Sequence, residues 1–337
     1  MSLPHSLEAL LRIDSLIYFL LFISIILIFM LKNNEKNLIF VGVVLAAMVI
    51  FFWGITFVCT KYLLVSFSAY EVLVIRFLLA YFCLWILYPH KYPVKEKKHN
   101  IYFACAGFFG VTLYQLMENV ALHFSSASNV SIIVSITPIF TAIIAQIFLK
   151  EKHVSFKFFI GFLLAISGVA LVSFNGTAVL HLNPLGDFLA LTASVSWGFY
   201  SLFVSKINKA GYKSIPATRK VFFYALVFMI PLGFGNSILG DENLNVVLSA
   251  AENAARFSDM YNWLCLLFLG LVASGFCFVA WSKACKLVGT VKTTVGIYLI
   301  PVVTIIFAFF VLSEPITPMG ALGAVLTITG LFVSEMK

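Results

Sequence analysis

The chain has 337 residues, of which 62% are apolar and only 11% are charged. A soluble domain is about 45–50% apolar and about 25% charged, so this composition excludes an ordinary water-soluble protein; lipid must stand in for water over much of the surface. The formal net charge of +8 follows from where Lys and Arg sit between apolar runs and does not signal nucleic acid.

A span needs about 20 mostly apolar residues, and in hydrocarbon only helices or closed barrels satisfy their own backbone. The runs here are long and continuous rather than short and alternating, which predicts helices. After a run at 15–31 they fall at 38–60, 69–89, 100–122, 127–149, 154–174, 185–206, 217–238, 261–283, 290–312 and 316–335. The amino-terminal run is followed by no small-x-small site and ends at Lys32, which speaks against a cleaved signal peptide. Two readings stay open for it: an extra transmembrane helix, or a start codon called too early, with Met30 beginning a ten-helix protein.

Alternate loops set the orientation, because Lys and Arg are retained on the cytoplasmic side. One side carries Lys32 and Lys36, then Lys91, Lys95, Lys97 and Lys98, then Lys150, Lys152 and Lys157. The same side continues with Lys206, Lys209, Lys213, Arg219 and Lys220, then Lys283, Lys286 and Lys292, and ends at Lys337. Opposite them stand Lys61 and Arg256, the latter in a long acidic loop near 235–260. The expectation is a multi-pass protein of the cell membrane with a cytoplasmic carboxy terminus. Abundant Lys beside little Arg, with 36 Phe, fits an AT-rich bacterial genome.

The chain also repeats itself. Trp53-Gly54 recurs as Trp197-Gly198, and Arg76 as Arg219; Ala121, Pro138 and Glu151 recur at one constant offset as Ala284, Pro301 and Glu314. Gly161 and Gly168 return as Gly323 and Gly330. The offset makes one large jump, from about 143 to 163, and the long acidic loop supplies the extra residues. This predicts an all-α membrane bundle of ten helices in two five-helix repeats, 38–175 and 185–337, after an extension at 1–37. Five is odd, so the second repeat enters the membrane inverted, the architecture of many secondary transporters.

At these residues the sequence resembles the EamA family of the drug/metabolite transporter superfamily. Phe52-Trp53-Gly54 with Lys61, Ser126-Ala127-Ser128 before Pro138, and Lys150-Glu151 followed by Gly161 and Gly168 carry the likeness in the first half. In the second half it rests on Trp197-Gly198 with Lys206, then Pro301, Ser313-Glu314, Gly323 and Gly330. The resemblance implies a secondary active transporter that exports small metabolites, amino acids or toxic compounds across the cytoplasmic membrane by alternating access. It names no ligand.

Residues three and four apart share a helix face. On the third helix Tyr114, Gln115, Glu118 and Asn119 form a polar stripe that lipid would not accept, so it must face a cavity or other helices. Trp53 and Thr56 on the first helix, and Trp197, Tyr200 and Ser201 on the sixth, offer a similar face. Ser131 with Ser135 precede Pro138, and Thr294 with Tyr298 precede Pro301. Such stripes also pack helices together; on the helices that line the cavity in the resembled family they point to a substrate site. Pro138 and Pro301 each remove a backbone hydrogen bond, leaving the carbonyls of Val134 and Ile297 free at a bend that is either static or a gate.

Glu118 is the one carboxylate well inside a predicted span, and ionisable groups there are functional candidates because burying them is costly. Pairing with Arg76, contact with substrate and proton carriage are its three readings. Gly161, Ala165 and Gly168, with Gly320 and Ala324, suit close helix packing or a homodimer interface. His90, His99, His123 and His153 lack ligand spacing, and the six cysteines lack metal spacing, so neither a metal nor a cofactor is expected. There is no HExxH, GxSxG, pair of carboxylates on one helix face or Walker motif, so neither an enzyme nor an ATP-driven pump is predicted. A passive channel or a lipid scramblase remains as the alternative to a carrier, with the bilayer and one small solute as the expected partners.

Overall fold

The computed structural model describes residues 38–125, 127–150, 155–174, 183–239, 255–303 and 318–335. The run at 15–31, Ser126, Glu151 and Ser313-Glu314 lie outside them. Every regular element among the described residues is a helix. Six helices are long and apolar enough to cross a membrane: α1 (Leu38–Leu63), α2 (Ala69–Leu87), α3 (His99–Phe124), α7 (Pro184–Lys209), α8 (Ser214–Leu239, its apolar part Ser214–Leu232) and α9 (Met260–Val288). The other apolar helices among the described residues are α4 (Ala127–Val134), α5 (Thr137–Leu149), α6 (Phe156–Phe174), α10 (Thr290–Val303) and α11 (Pro318–Glu335).

The boundaries have local causes. Ser68 caps α2 by accepting from the Glu71 N–H (3.2 Å), while the Glu71 carboxylate accepts from the Ser68 N–H (2.9 Å), a reciprocal box that satisfies two otherwise orphan donors. Asn183 and Asp259 cap α7 and α9 in the simpler way. The span expected at 127–149 is two helices, α4 and α5, broken at Ser135 and Ile136 and restarted with Pro138 in the first turn, where a missing N–H costs nothing. The carbonyls expected to be free are taken: Val134 accepts from the Thr137 hydroxyl (2.6 Å), and Ile297 accepts from the Ile300 N–H across a 3₁₀ turn at Gly296–Leu299.

Two of the long helices widen into π-helical turns, at Phe108–Leu113 in α3 and at Phe268–Phe276 in α9. Each is bonded from the opposite half of the chain. The Trp53 indole donates to the Ala273 carbonyl (3.1 Å), and the Ser196 hydroxyl donates to the Phe109 carbonyl (2.7 Å).

Contacts at the helix ends give the directions. Gly42, early in α1, abuts Val288 at the end of α9, and Tyr62, late in α1, bonds Asp259 before α9 begins, so these two run antiparallel. Gly186, early in α7, abuts Phe124 at the end of α3, and Tyr212, just beyond α7, meets His99 at the start of α3. Lys61 at the end of α1 donates to the Leu122 and Ser125 carbonyls that close α3 (2.6 and 3.3 Å). The ends of α1 and α7 therefore lie at opposite ends of the bundle.

The glycine stripe is spent within the chain. A Cβ on Gly168 would fall 2.4 Å from the Thr327 nitrogen, and one on Gly330 2.3 Å from the Ala165 nitrogen, so α6 and α11 touch backbone to backbone. The partners on α11 are Gly323, Thr327 and Gly330; Ala324, expected on this face, is only partly covered. Outward, α6 and α11 present Phe156, Leu163, Val325 and Phe332, the surface a hydrocarbon environment requires.

Candidate functional site

Between the halves lies a small cavity of about 30 Å³, lined by Trp53, Thr56 and Phe57 of α1, Arg76 of α2, and Tyr114, Gln115 and Glu118 of α3. Val134 and Thr137 at the α4–α5 break, Trp197 of α7, and Ile297 and Ile300 of α10 complete the wall. Space on that scale holds about two water molecules. The space is too small for a metabolite as it stands.

The repeated Trp-Gly pair explains how the wall is placed. Each tryptophan turns inward, while the glycine beside it lets a helix of the other half approach: a Cβ on Gly54 would meet Val303 at 2.7 Å, and one on Gly198 would meet Ile144 at 2.8 Å. Trp53 and Trp197 then meet edge to face, while Trp281 tilts against Trp53, and Tyr114 and Tyr200 tilt against Trp197. Trp53 lies 5.2 Å from Trp197 and 4.9 Å from Trp281, and Trp197 lies 4.8 Å from Tyr114 and 4.7 Å from Tyr200, separations at which aromatic pairs attract beyond simple burial.

The polar chemistry centres on α2 and α3. Arg76 is 2% exposed, a cation buried beside the cavity. It donates from Nε to the Ser274 hydroxyl (2.9 Å) and from Nη1 to Gln115 Oε1 (2.7 Å), so it ties α2 to α3 and to the wide turn of α9. Glu118, 6% exposed, stands one turn beyond Tyr114 on the same helix. Arg76 does not close onto Glu118: the direct ion pairs among the described residues lie elsewhere, and these two charges act on each other across the cavity. Of the three readings of Glu118, direct pairing with Arg76 is the one the geometry does not show: Arg76 bonds Gln115 instead. Trp197 also keeps a buried indole N–H with no protein acceptor, an open donor at the cavity wall.

Of the residues singled out from the sequence, Trp53, Thr56, Tyr114, Gln115, Glu118 and Trp197 meet at this cavity. Asn119 turns aside and donates to the Ala69 carbonyl (3.1 Å), bracing α3 on α2. Tyr200 packs behind Trp197, and Ser201 is buried with no hydroxyl partner. Tyr298 is fully buried in a separate cluster with Ala142, Phe158 and Ala165, and its neighbours Ile297 and Ile300 reach the cavity in its place. Ser135 and Thr294 spend their hydroxyls on carbonyls of their own helices. Pro138 sits beside the lining residue Thr137 and Pro301 follows Ile300, so both border the cavity without forming its wall. Trp281 was missed because nothing local separates it from any apolar helix position. Arg76, in the sequence a repeat marker and a candidate partner of Glu118, lines the cavity itself, and its depth in a span is the signal of that.

Against known protein families, residues 40–174 match the EamA-like transporter family, and residues 184–336 match it a second time. The chain belongs to the EamA-like transporter family. Relatives of this EamA transporter include a protein named "Uncharacterized transporter" from Archaeoglobus fulgidus, 25% identical over 87% of this chain and 96% of its own. The "Probable amino-acid metabolite efflux pump" of Escherichia coli is 27% identical over 86% of this chain and 93% of its own. The "Probable terminal-alkyne amino-acid exporter" of Streptantibioticus cattleyicolor is 27% identical over 69% and 72%. A solved crystal structure superposes with a TM-score of 0.67 at 15% identity, covering 90% of this chain and 97% of the other, which shows a shared fold. The protein is a multi-pass membrane transporter of the EamA family.

Proposed function

We propose that this EamA transporter is a secondary active carrier that exports amino-acid-like metabolites across a bacterial cell membrane by alternating access. In this reading it has ten spans in two inverted repeats, 38–175 and 185–337, and a cytoplasmic carboxy terminus. The observation that carries the proposal is the small cavity between the halves with Arg76 and Glu118 on its wall and no direct ion pair between them. A zwitterion places its carboxylate toward the Arg76 guanidinium and the Trp197 N–H, and its ammonium toward Glu118; a charged site kept out of water favours such a ligand over a neutral one. Trp53, Thr56, Tyr114 and Gln115 supply the rest of the contact, with Tyr200 and Ser201 supporting Trp197 from behind. Two relatives named for amino-acid efflux or export lend the class further support. Segments broken at Pro138 and before Pro301, in equivalent places of the two halves, suit gates at the repeat interface.

The test is counterflow in proteoliposomes loaded with a panel of unlabelled α-amino acids, with the same radiolabelled compounds outside. A carrier gives saturable uptake that rises when its own substrate is inside. Flux that neither saturates nor responds to the opposite side would favour a passive channel or a lipid scramblase. Carrier behaviour confined to solutes without a carboxylate would overturn the zwitterion assignment alone.

A further inference from the structure

Away from the cavity, the two ends of the bundle are fastened in the same way. Where α1 finishes, the turn to α2 is held by the segment leading into α9. The Arg256 guanidinium donates to both carboxylate oxygens of Glu71 (2.8 and 3.0 Å) and to the Ser66 carbonyl (3.2 Å), and lies 4.6 Å over the Phe67 ring. The Arg256 side chain is 10% and the Glu71 side chain 27% exposed, so this bidentate pair is partly shielded and stronger than a fully exposed ion pair. The cap of α2 does not require it, because Ser68 and Glu71 satisfy each other's backbone unaided. Tyr62 adds a bond to Asp259 (3.1 Å).

Where α7 finishes, at the opposite end, the turn to α8 is held by the segment leading into α3. The Tyr212 hydroxyl accepts from the Lys95 N–H (2.8 Å) and meets His99 Nδ1 (2.9 Å), while the Tyr92 hydroxyl accepts from the Lys213 N–H (3.0 Å). Lys95 Nζ donates to the Ala210 carbonyl (2.7 Å). In both places the turn between the first two helices of one half sits on the segment before the third helix of the other. Both fastenings cross between halves, and both are made over a cavity too small for a metabolite.

We propose that these are paired latches, Arg256–Glu71 at one face and Tyr212 with Tyr92 at the other, and that release of one while the other holds is what opens the cavity to a single face. The proposal rests on the alternating-access reading above. Rocking of one half on the other parts the contacts at one end as it presses those at the other, so each latch sets how long its own face stays shut. The two differ in chemistry. One is an ion pair with an aromatic lid; the other is a set of hydroxyl bonds with one lysine, beside which the Arg219 guanidinium donates to the Tyr88 and His90 carbonyls.

The experiment places a cysteine at Thr56, on the cavity wall, and measures its labelling by a membrane-impermeant maleimide added to either side of oriented vesicles, against the background of the six native cysteines. Arg256→Gln should speed labelling about tenfold from the Arg256 face and leave the other face unchanged, the scale expected when one charge-assisted pair is lost. Tyr92→Phe together with Tyr212→Phe should speed labelling from the opposite face alone. Arg256→Lys, which keeps one ion pair, should fall between wild type and Arg256→Gln and serves if the glutamine variant does not fold. Unchanged rates, or equal increases at both faces, would overturn the latches while saturable counterflow still upheld the carrier. Wild-type flux that neither saturates nor responds to solute on the opposite side would instead overturn alternating access itself.

Discussion

The Trp53 indole bonds the Ala273 carbonyl at 3.1 Å, joining the first helix of one half to the wide turn in the third helix of the other. Ser196, one residue before Trp197, makes the corresponding bond to Phe109 (2.7 Å). The residues that form the cavity wall and those that fasten the halves are therefore the same or adjacent. Perturbing one should be felt in both stability and transport.

Trp53→Phe keeps the ring and removes the donor. It should cost about 1–2 kcal/mol, the scale of one buried hydrogen bond whose acceptor is left unmet, and appear as a lower thermal midpoint in detergent. Ser196→Ala should act alike on stability and less on substrate affinity, since Ser196 does not line the cavity.

Arg76 and Glu118 are both buried beside one cavity, so removing either leaves an uncompensated charge. Arg76→Gln should destabilise by about 1–3 kcal/mol, the scale of leaving buried polar partners such as Ser274 unmet, with Arg76→Gln/Glu118→Gln recovering part of the loss if the two charges sense each other. A double-mutant cycle on chemical unfolding measures that coupling. Additive costs would mean that the two charges do not sense each other.

Glu118→Gln by itself separates substrate contact from proton carriage. If the carboxylate carries protons, the variant should lose all drive from a pH gradient while exchange of substrate across equal pH persists. Should it hold only the substrate ammonium, exchange itself should weaken, by about tenfold for each 1.4 kcal/mol of lost contact.

Gly168 and Gly330 lie where α6 and α11 touch backbone to backbone. Gly330→Val has no room for its branch and should destabilise by about 1–3 kcal/mol or more, read as a fall in the fraction of folded protein after mild heating. A homodimer built on this stripe would instead lose its oligomeric state at unchanged stability, which size-exclusion with light scattering resolves.

Pro138 restarts the chain after the break at Ser135 and Ile136. Pro138→Ala restores an N–H and allows α4 and α5 to join, so it should stabilise the closed form and slow counterflow while half-saturation changes little. An unaltered rate would make the break a static feature.

The helices were legible in the sequence because their cause is local: an apolar run of sufficient length must satisfy its backbone within itself in lipid. The polar stripe Tyr114, Gln115 and Glu118 was legible for the same reason, as a face that hydrocarbon rejects, and the Trp-Gly repeat announced both Trp53 and Trp197. Tyr298 was misplaced because the period of a helix tells which residues share a face and says nothing about which neighbour that face meets; one residue of rotation puts Ile297 at the cavity instead.

What the sequence determined by itself was therefore the solvent, the secondary structure, the family and most of the inward-facing polar residues, all consequences of short-range pattern. Only the tertiary structure decided that Arg76 spends its donors on Gln115 and Ser274 rather than on Glu118, that Trp281 backs the cavity, and that Arg256 grips Glu71. Several of these contacts join residues nearly two hundred positions or more apart, and they arise from how two halves pack, a balance of close helix approach and buried charge that no local window contains.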